Sequence, residues 1–269
     1  MDLGLAGRAC IITGGSRGIG LEVAKRLRAE GARLLLVGRG EGALARAAEA
    51  CNEGVNEADG AVATLAIDIT EPDAGERIAD ECERCHGRVD VLVNNASASV
   101  TRTLPDLTDE DWRGDWEINV MAPMRLMRAA APRMAEAGWG RVVNVCSSSG
   151  KRPGQRNISY SVAKAAELSL SRAYADFYAP QKVLINAVTP GPVAGDLWLA
   201  PGGLADQTAQ VRGTTRDEVL DAMAAGLPIR RLAESTEIAD VIVFLCSERA
   251  SNVAGAAWSV DGGAVPVII

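Results

Sequence analysis

The sequence predicts a single α/β domain built on one parallel sheet with helices on both faces. Short runs rich in Val, Ile and Leu alternate along the chain with longer segments of helical periodicity, the pattern of repeated strand–helix–strand units. The length of 269 residues suits one domain with a large sheet, and no repeat, low-complexity tract or linker divides it. Hydrophobic residues make up 48% and charged residues 23%, so a sizeable core is available.

The periodicity gives seven strands and six main helices. Turn residues separate the two kinds of segment, and Gly31 stops the first helix. Either Asn157 or Ser159 is a suitable cap for the helix that ends near 179. The predicted strands are 8–13, 33–37, 61–67, 89–93, 142–145, 182–188 and 256–260, and the predicted helices follow the first glycine turn to about 30 and then cover 41–57, 71–85, 109–137, 157–179 and 237–246.

Charge and composition exclude several classes of function. The net charge of -7 argues against nucleic-acid binding, because phosphate backbones attract basic faces. No run reaches the roughly 18 apolar residues of a membrane helix. The start of the chain has no basic segment followed by an apolar core, so a cytoplasmic protein is expected. Six cysteines lie mostly in predicted strands and helices, which favours reduced thiols over disulfides.

Two short motif matches have weak context. Cys82, Cys85 and His86 form the C-x-x-C-H pattern of haem attachment, but in a predicted helix end of a chain with no export signal. His86 is the only histidine, and no spacing supplies the other ligands of a metal site. Residues 14–18 match the G-x-S-x-G turn of α/β-hydrolases, but a hydrolase triad needs a histidine late in the chain. Haem binding and hydrolysis are therefore not expected.

The first strand instead leads into a glycine-rich turn suited to a dinucleotide. Gly14, Gly18 and Gly20 follow in the spacing T-G-x-x-x-G-x-G and open an amphipathic helix. Glycines permit a tight turn and close backbone approach, while the helix start offers free N–H groups to a pyrophosphate. Arg17 and Arg39 can converge on a 2'-phosphate, and no acid stands at 37–40 to bind the ribose of NAD. They could also be two ordinary surface arginines.

A second pattern combines the end of the fifth strand with the following helix. The strand runs into the hydroxyl cluster that begins at Ser147, while Tyr160 and Lys164 lie four apart on one helical face. A phenol has a pKa of about 10, and a neighbouring ammonium favours the phenolate, which makes a usable acid or base. Each half alone is commonplace, since such pairs occur on solvated helices and serine clusters usually mark turns.

Together these motifs resemble the short-chain dehydrogenase/reductase family. The resemblance extends from the glycine turn through N-N-A, the Ser147, Tyr160 and Lys164 set, the P-G turn at 190–191 and D-G-G at 261–263. It implies a Rossmann-type, doubly wound, seven-stranded sheet, and an NADP-dependent enzyme that interconverts a carbonyl and a secondary alcohol. Family members are commonly tetramers, so a homotetramer or homodimer is expected.

The resemblance also assigns roles to residues. Tyr160 is the expected acid and base, Ser147 binds the carbonyl oxygen, Lys164 holds the ribose hydroxyls and supports the tyrosine, and Asn119 anchors a water in a proton relay. NADP(H) is the expected cofactor, preferred over NAD(H). The residues expected to contact it are Gly14, Ser16, Arg17, Gly18, Ile19, Gly20, Arg39, Asp68, Ile69, Asn95, Ala96, Tyr160, Lys164, Pro190, Gly191 and Val193. Asp68 could equally cap the third helix.

The chain departs from the family pattern at two positions. Ser97 stands where the family's N-N-A-G motif has glycine, which puts a Cβ beside the nicotinamide ribose. Gly195 stands where most members place a threonine hydroxyl on the nicotinamide carboxamide. Cofactor orientation is then expected to depend more on the backbone and Val193.

The stretch at about 195–226 is too long for a plain loop, and we interpret it as a helical lid over a small-molecule substrate. Ser149, Trp198 and Leu199 are candidate substrate contacts, although packing against the body or another subunit is an equal alternative for the lid. The apolar tail at 265–269 is expected to be buried at a subunit contact. Two other functions remain open: reduction of 3-oxoacyl thioesters, and non-catalytic NADP(H) sensing through a partner.

Overall fold

The computed structural model describes residues 2–54, 62–99 and 101–266. The strands are β1 (Ala9–Thr13), β2 (Arg33–Gly38), β3 (Val62–Ala66), β4 (Val91–Asn94), β5 (Gly140–Val145), β6 (Val183–Pro190) and β7 (Ala257–Val260). The α-helices are α1 (Gly18–Ala29), α2 (Glu41–Asn52), α3 (Ala74–His86), α4 (Asp109–Trp116), α5 (Ala122–Glu136), α6 (Ile158–Tyr178), α7 (Asp196–Leu199), α8 (Leu204–Arg212), α9 (Arg216–Gly226) and α10 (Ser235–Cys246).

All strands pair in parallel, in the order β3-β2-β1-β4-β5-β6-β7. The order reverses between β1 and β4, where the register aligns Ile12 with Val93. In such sheets the crevice for a ligand opens at the carboxyl ends of the strands beside this reversal. The glycine turn after β1 and the N-N-A segment after β4 therefore meet at that edge.

A hydrophobic core lies on each face of the sheet. On one face α1, α2 and α10 pack against alternate strand residues such as Ile12 and Val143. On the other face α3, α5 and α6 pack against the intervening residues such as Ile11 and Val142. Because both faces are covered, the central strands read as continuous apolar runs, whereas the edge strands β3 and β7 are only partly buried. The sequence prediction of a seven-stranded parallel sheet is confirmed.

Local signals explain several element boundaries. The hydroxyl of Thr108 accepts from Asp111 N while the Asp111 carboxylate accepts from Thr108 N, a capping box that starts α4. Gly31 and Gly87 adopt positive φ angles of 80° and 77° after α1 and α3, which glycine tolerates without strain. None of the helices in the described part of the chain is long and apolar enough to cross a membrane.

The prediction of one unbroken helix over 109–137 was wrong in detail. The turn Glu117–Met121 is a π-helical segment between α4 and α5. Ser159 was a wrong choice of cap, since α6 begins at Ile158 and Asn157 precedes it without a side-chain capping bond. Position 61 of the predicted third strand, 55–57 of the second helix and 267–269 of the predicted buried tail lie outside the described residues.

Candidate active site

The glycine turn after β1 is held closely by the segment that follows β4. Asn95 Nδ2 donates to the carbonyls of Thr13 at 2.9 Å and Gly14 at 3.2 Å, and Asn95 N donates to Thr13 Oγ1 at 3.0 Å. Ala96 N also donates to Thr13 Oγ1, at 3.1 Å. A Cβ on Gly20 would lie 2.3 Å from Gly14 O, so the first turn of α1 packs against the glycine turn only with glycine there.

The turn fits the pyrophosphate of a dinucleotide. Gly18 has a φ of 54°, and a Cβ built on it would meet nothing within 4 Å, so the space above the turn is open. Arg17 precedes α1 with no side-chain capping bond, and the first turn of α1 contains no acid. The amino end of the helix therefore presents N–H donors and a positive dipole to an anion. Ser16 and Ile19 are half-buried within the same turn.

The neighbouring end of β2 carries the exposed Arg39. Asp68 forms a tight turn instead of capping α3: Thr70 N and Thr70 Oγ1 donate to its Oδ1 at 3.0 and 2.8 Å. These two bonds, with a smaller contribution from Arg39, hold the pKa of Asp68 below its ordinary value. A charged Asp68 therefore lies near Arg39, and Ile69 beside it is buried.

The end of β5 delivers Ser147 in an extended conformation. Its Oγ accepts a hydrogen bond from Ser149 N at 3.1 Å, which starts a short 3-10 turn over Ser148–Gly150. A Cβ on Gly150 would lie 2.9 Å from the backbone of Lys164, so glycine lets this turn pack directly on α6. Asn157 Nδ2 also donates to Ser149 Oγ at 3.3 Å. The serine turn and the start of α6 are therefore in contact.

The helix α6 carries the predicted pair on its inner side. Tyr160 is half-buried, whereas Lys164 is buried, and the Lys164 Nζ lies 5.7 Å from the centroid of the Tyr160 ring. Lys164 Nζ donates to the carbonyl of Val145, the last residue of β5, at 3.0 Å. This bond fixes the ammonium at the carboxyl edge of the sheet, on the strand that leads to Ser147.

A buried acid that the sequence analysis did not identify accompanies Lys164. Glu167 Oε2 accepts from Lys164 Nζ at 2.8 Å, and both side chains are almost fully enclosed. Burial alone would lower the pKa of Lys164, but the nearby Glu167 carboxylate and the Tyr160 phenol raise it above its ordinary value. The spacing of three residues on a helix was the available signal.

Asn119 lies in the π-helical segment and is completely buried. Its Nδ2 donates to Ala98 O at 3.0 Å and to Asp115 O at 2.9 Å, while its Oδ1 accepts from Ser97 Oγ at 2.6 Å. Ser97, the departure from the family motif, therefore contacts Asn119 directly. The side-chain amide is held by three bonds in one orientation.

Asp115 adds a second contact that the sequence did not reveal. Ser159 Oγ donates to Asp115 Oδ2 at 2.6 Å, and both residues are buried. Ser159 immediately precedes Tyr160, so this bond joins α4 to the start of the helix that carries the tyrosine. Burial raises the pKa of the Asp115 carboxyl, despite the opposing bond from Ser159.

The P-G turn after β6 closes the same edge of the sheet. A Cβ on Gly191 would lie 2.8 Å from Asp261 O, so this glycine permits close packing on the D-G-G turn. Val193 pairs with Ala233, and Ala194 N donates to Ala233 O at 2.7 Å. Pro190 ends β6 in a buried position. Gly195 N donates to Val193 O at 2.9 Å. The carbonyl of Gly195 accepts from Trp198 N and Leu199 N, and these bonds start α7.

The segment after Gly195 folds into the three helices α7, α8 and α9. Trp198 and Leu199 are half-buried, and Arg216 of α9 donates to the carbonyl of Leu199.

The C-x-x-C-H motif on α3 does not form a common site, because each of its polar side chains has a different partner. Cys82 bonds to Arg88 O, Cys85 to Glu81 and His86 to Leu34 O. Within the described ranges, no group of three His, Cys, Asp or Glu side chains is placed to hold a metal ion.

Comparisons with known proteins match this geometry along nearly the whole chain. A family model described as enoyl-(acyl carrier protein) reductase matches residues 14–265. The "Uncharacterized oxidoreductase YvrD" of Bacillus subtilis is 33% identical over 98% of this chain and 99% of its own. Galactitol 2-dehydrogenase (L-tagatose-forming) of Cereibacter sphaeroides is 34% identical over 96% of this chain and 95% of its own.

A solved structure gives the same result. The L-sorbose reductase of Gluconobacter frateurii, complexed with NADPH and L-sorbose, superimposes with a TM-score of 0.91 at 33% identity, covering 100% of both chains. The fold, the sequence matches and the assembly of the expected motifs at one sheet edge agree. The chain belongs to the short-chain dehydrogenase/reductase family and is an oxidoreductase that interconverts a carbonyl and an alcohol with a nicotinamide dinucleotide.

Proposed function

We propose that the chain is an NADP(H)-dependent enzyme that interconverts a carbonyl and a secondary alcohol, with Tyr160 as the acid and base. The observation that carries this proposal is the position of Lys164, whose buried ammonium lies 5.7 Å from the Tyr160 ring and is bonded to the last carbonyl of β5. The cation, the phenol and the Ser147 turn share the edge of the sheet at which the glycine turn lies.

Each residue has a chemical task in carbonyl reduction. Tyr160 gives its proton to the carbonyl oxygen, and the cationic Lys164 stabilises the resulting phenolate. Ser147 Oγ accepts from Ser149 N, so its own proton points elsewhere and donates to the carbonyl oxygen. Asn119 anchors the water of the proton relay. The bound nicotinamide supplies or accepts the hydride.

The proposed cofactor is NADP(H) rather than NAD(H). Arg39 is exposed at the end of β2, and Arg17 is exposed in the glycine turn, and a pair of guanidinium groups at these positions suits a 2'-phosphate. The L-sorbose reductase that superimposes on this chain binds NADPH. Gly14, Ser16, Gly18, Ile19 and Gly20 belong to the proposed phosphate site, with Asp68 and Ile69 at the adenine and Asn95, Ala96, Tyr160, Lys164, Pro190, Gly191 and Val193 toward the nicotinamide.

The segment at about 195–226 is proposed to be a lid for a small-molecule substrate, with Ser149, Trp198 and Leu199 as contacts. Assembly as a homotetramer or homodimer is also part of the proposal, supported by the exposed Val162 and Phe177 on α6. A cytoplasmic location is supported by the six cysteines, all of which are free thiols.

The decisive experiment compares wild type with Tyr160→Phe. The turnover of the variant should fall about 10²–10⁴-fold, because the proton donor is removed. The variant should still bind NADPH, as measured by the change in NADPH fluorescence. Tyr174→Phe, on the same helix and stacked against Tyr178, is the matched control and should stay active. Activity retained by Tyr160→Phe would assign the acid to another residue.

The substrate panel begins with ketoses and polyols, because two of the three similar proteins named above are an L-sorbose reductase and a galactitol 2-dehydrogenase. A 3-oxoacyl thioester and a simple ketone complete the panel. Preference for the thioester would favour the acyl reductase alternative. Binding of NADPH with no turnover of any member would favour the non-catalytic alternative.

A further inference from the structure

Glu167 is a buried acid with no part in the mechanism described above. It lies three residues after Lys164 on α6, and its side chain is 1% exposed. Acids are almost never enclosed in this way unless they are paired, because a buried carboxylate loses its hydration. Its partner is the ammonium group that also lies beside Tyr160, at a distance of 2.8 Å.

The groups around this pair can be named element by element. On α6 itself, the centroid of the Tyr160 ring lies 5.7 Å from the ammonium nitrogen. After β5, the buried Cys146 thiol is a neighbour of the Glu167 carboxylate, and Lys151 is a further positive charge that acts on this thiol. From α4, Asp115 contacts Ser159 rather than the pair. Of the residues that the structure describes, Glu167 is the acid bonded to Lys164.

The two charges support each other in the enclosed site. Burial opposes the charge on Lys164, and Glu167 is the strongest of the groups that raise the Lys164 pKa in compensation. Burial likewise raises the pKa of Glu167, while Lys164 opposes that shift. The bonds to Val145 O and Glu167 Oε2 then hold the ammonium in one place. The direction of each effect follows from the low dielectric of the interior.

We propose that Glu167 is a positioning residue of the reaction, which acts through Lys164 by holding its ammonium against β5 and by offsetting part of its charge at Tyr160. This inference rests on the proposed function. A bare cation stabilises a nearby phenolate more strongly than a cation that is paired with a carboxylate. Alcohol oxidation requires the basic form of the catalytic group, so its kcat/KM falls on the low-pH side of the profile. Glu167 therefore moves this low-pH limb to higher pH.

The test is Glu167→Gln, which keeps the size and an acceptor oxygen of the side chain but removes its charge. The low-pH limb of kcat/KM for alcohol oxidation should move by about one unit toward lower pH. The variant should still bind NADPH, as measured by the change in NADPH fluorescence, because the glycine turn and α1 are unchanged. Cys146→Ala is the matched control: it removes the polar thiol beside Glu167, leaves the carboxylate in place and should leave the limb where it is.

An unmoved limb in Glu167→Gln, or the same movement in Cys146→Ala, overturns the inference. If Glu167→Gln does not fold, Glu167→Asp withdraws the carboxylate by one methylene and should give a smaller shift in the same direction. An unmoved limb in that variant also overturns the inference. Wild-type turnover with NADP(H) that depends on Tyr160 leaves the proposed function intact in either case, whereas a wild type without turnover refutes the proposed function itself.

Discussion

Ser97 Oγ donates to Asn119 Oδ1 at 2.6 Å, so the residue that replaces the glycine of the family motif holds the asparagine of the proposed relay. The amide nitrogen of Asn119 is bonded to the carbonyls of Ala98 and Asp115. Both ends of the side chain are therefore fixed. Ser97 places a Cβ where the family motif has glycine, and its hydroxyl has a specific partner in Asn119.

Replacing Ser97 with alanine should weaken both stability and turnover. The change removes the donor to a buried carbonyl oxygen, which should lower the free energy of unfolding by about 1 kcal/mol. The rate of carbonyl reduction should fall severalfold because Asn119 is no longer held in one orientation. Urea unfolding and steady-state kinetics measure the two effects. Ser99→Ala, in the same loop, is the control, and equal losses in both variants would remove Ser97 from this role.

Gly195→Thr should strengthen cofactor binding. A Cβ at this position would lie 3.7 Å from Ser235 Oγ, an ordinary contact, so a side chain fits. A threonine hydroxyl would restore the bond to the carboxamide that most family members make. One such bond is worth about 1 kcal/mol, or roughly a fivefold lower Kd for NADP(H). NADPH fluorescence titration measures the change.

Gly195→Val is the matched control for that substitution, because it has the same branched shape without the hydroxyl. Tighter binding by both variants would show that loss of glycine flexibility, rather than a new hydrogen bond, is responsible. Tighter binding by neither would mean that Val193 and the backbone already orient the carboxamide.

The fold could be predicted closely because its signals are local and repeated. Strands buried on both faces read as apolar runs, and the intervening helices show their own period. The exception is the π-helical turn at Glu117–Met121. Asn119 there donates its side-chain amide to Asp115 O, an acceptor that a regular helix would give to a backbone N–H. An asparagine in the middle of a helix indicates that its side chain bonds to nearby polar groups, but the resulting backbone geometry depends on tertiary packing.

The candidate site was predictable only in part, for the same reason. Tyr160 and Lys164 lie four apart on one helix, and the glycine turn is a continuous motif. Asp115 and Ser159 are 44 residues apart and meet only because α4 packs on α6. Glu167 was within reach of sequence reasoning, since it follows Lys164 by three, but only burial distinguishes this pair from a solvated one.

Arg39→Ala should reduce preference for NADP(H). If Arg39 binds the 2'-phosphate, its loss removes a charged hydrogen bond worth about 1.5–3 kcal/mol, or roughly 10–100-fold in kcat/KM with NADPH. The value with NADH should stay nearly constant, because NADH has no phosphate at that position. Arg46→Ala, an exposed arginine on α2, is the control. A parallel fall with both cofactors would show that Arg39 supports the turn rather than the phosphate.

Asp115→Asn should stabilise the protein near neutral pH and not in acid. Burial raises the pKa of Asp115 above its ordinary 3.8. A carboxyl with a raised pKa in the folded state contributes its stability below the unfolded pKa and loses it as the pH rises through the folded value. Asparagine does not titrate and can still accept from Ser159. The melting temperature of the variant should therefore exceed that of wild type by on the order of 2 °C at pH 7, with the gap closing toward pH 4.

Asp111→Asn, on the same helix, should behave in the opposite way. Bonds from Thr108 N and Thr108 Oγ1 hold the pKa of Asp111 below its ordinary value. Its stabilising contribution is present above about 3.8 and is lost as the pH falls through the lower folded value. Asp111→Asn should thus melt below wild type at pH 7 and approach it in acid. Thermal melts of the three proteins between pH 3 and pH 8 test both signs, and a common pH trend in the two variants would mean that neither environment controls its carboxyl as described.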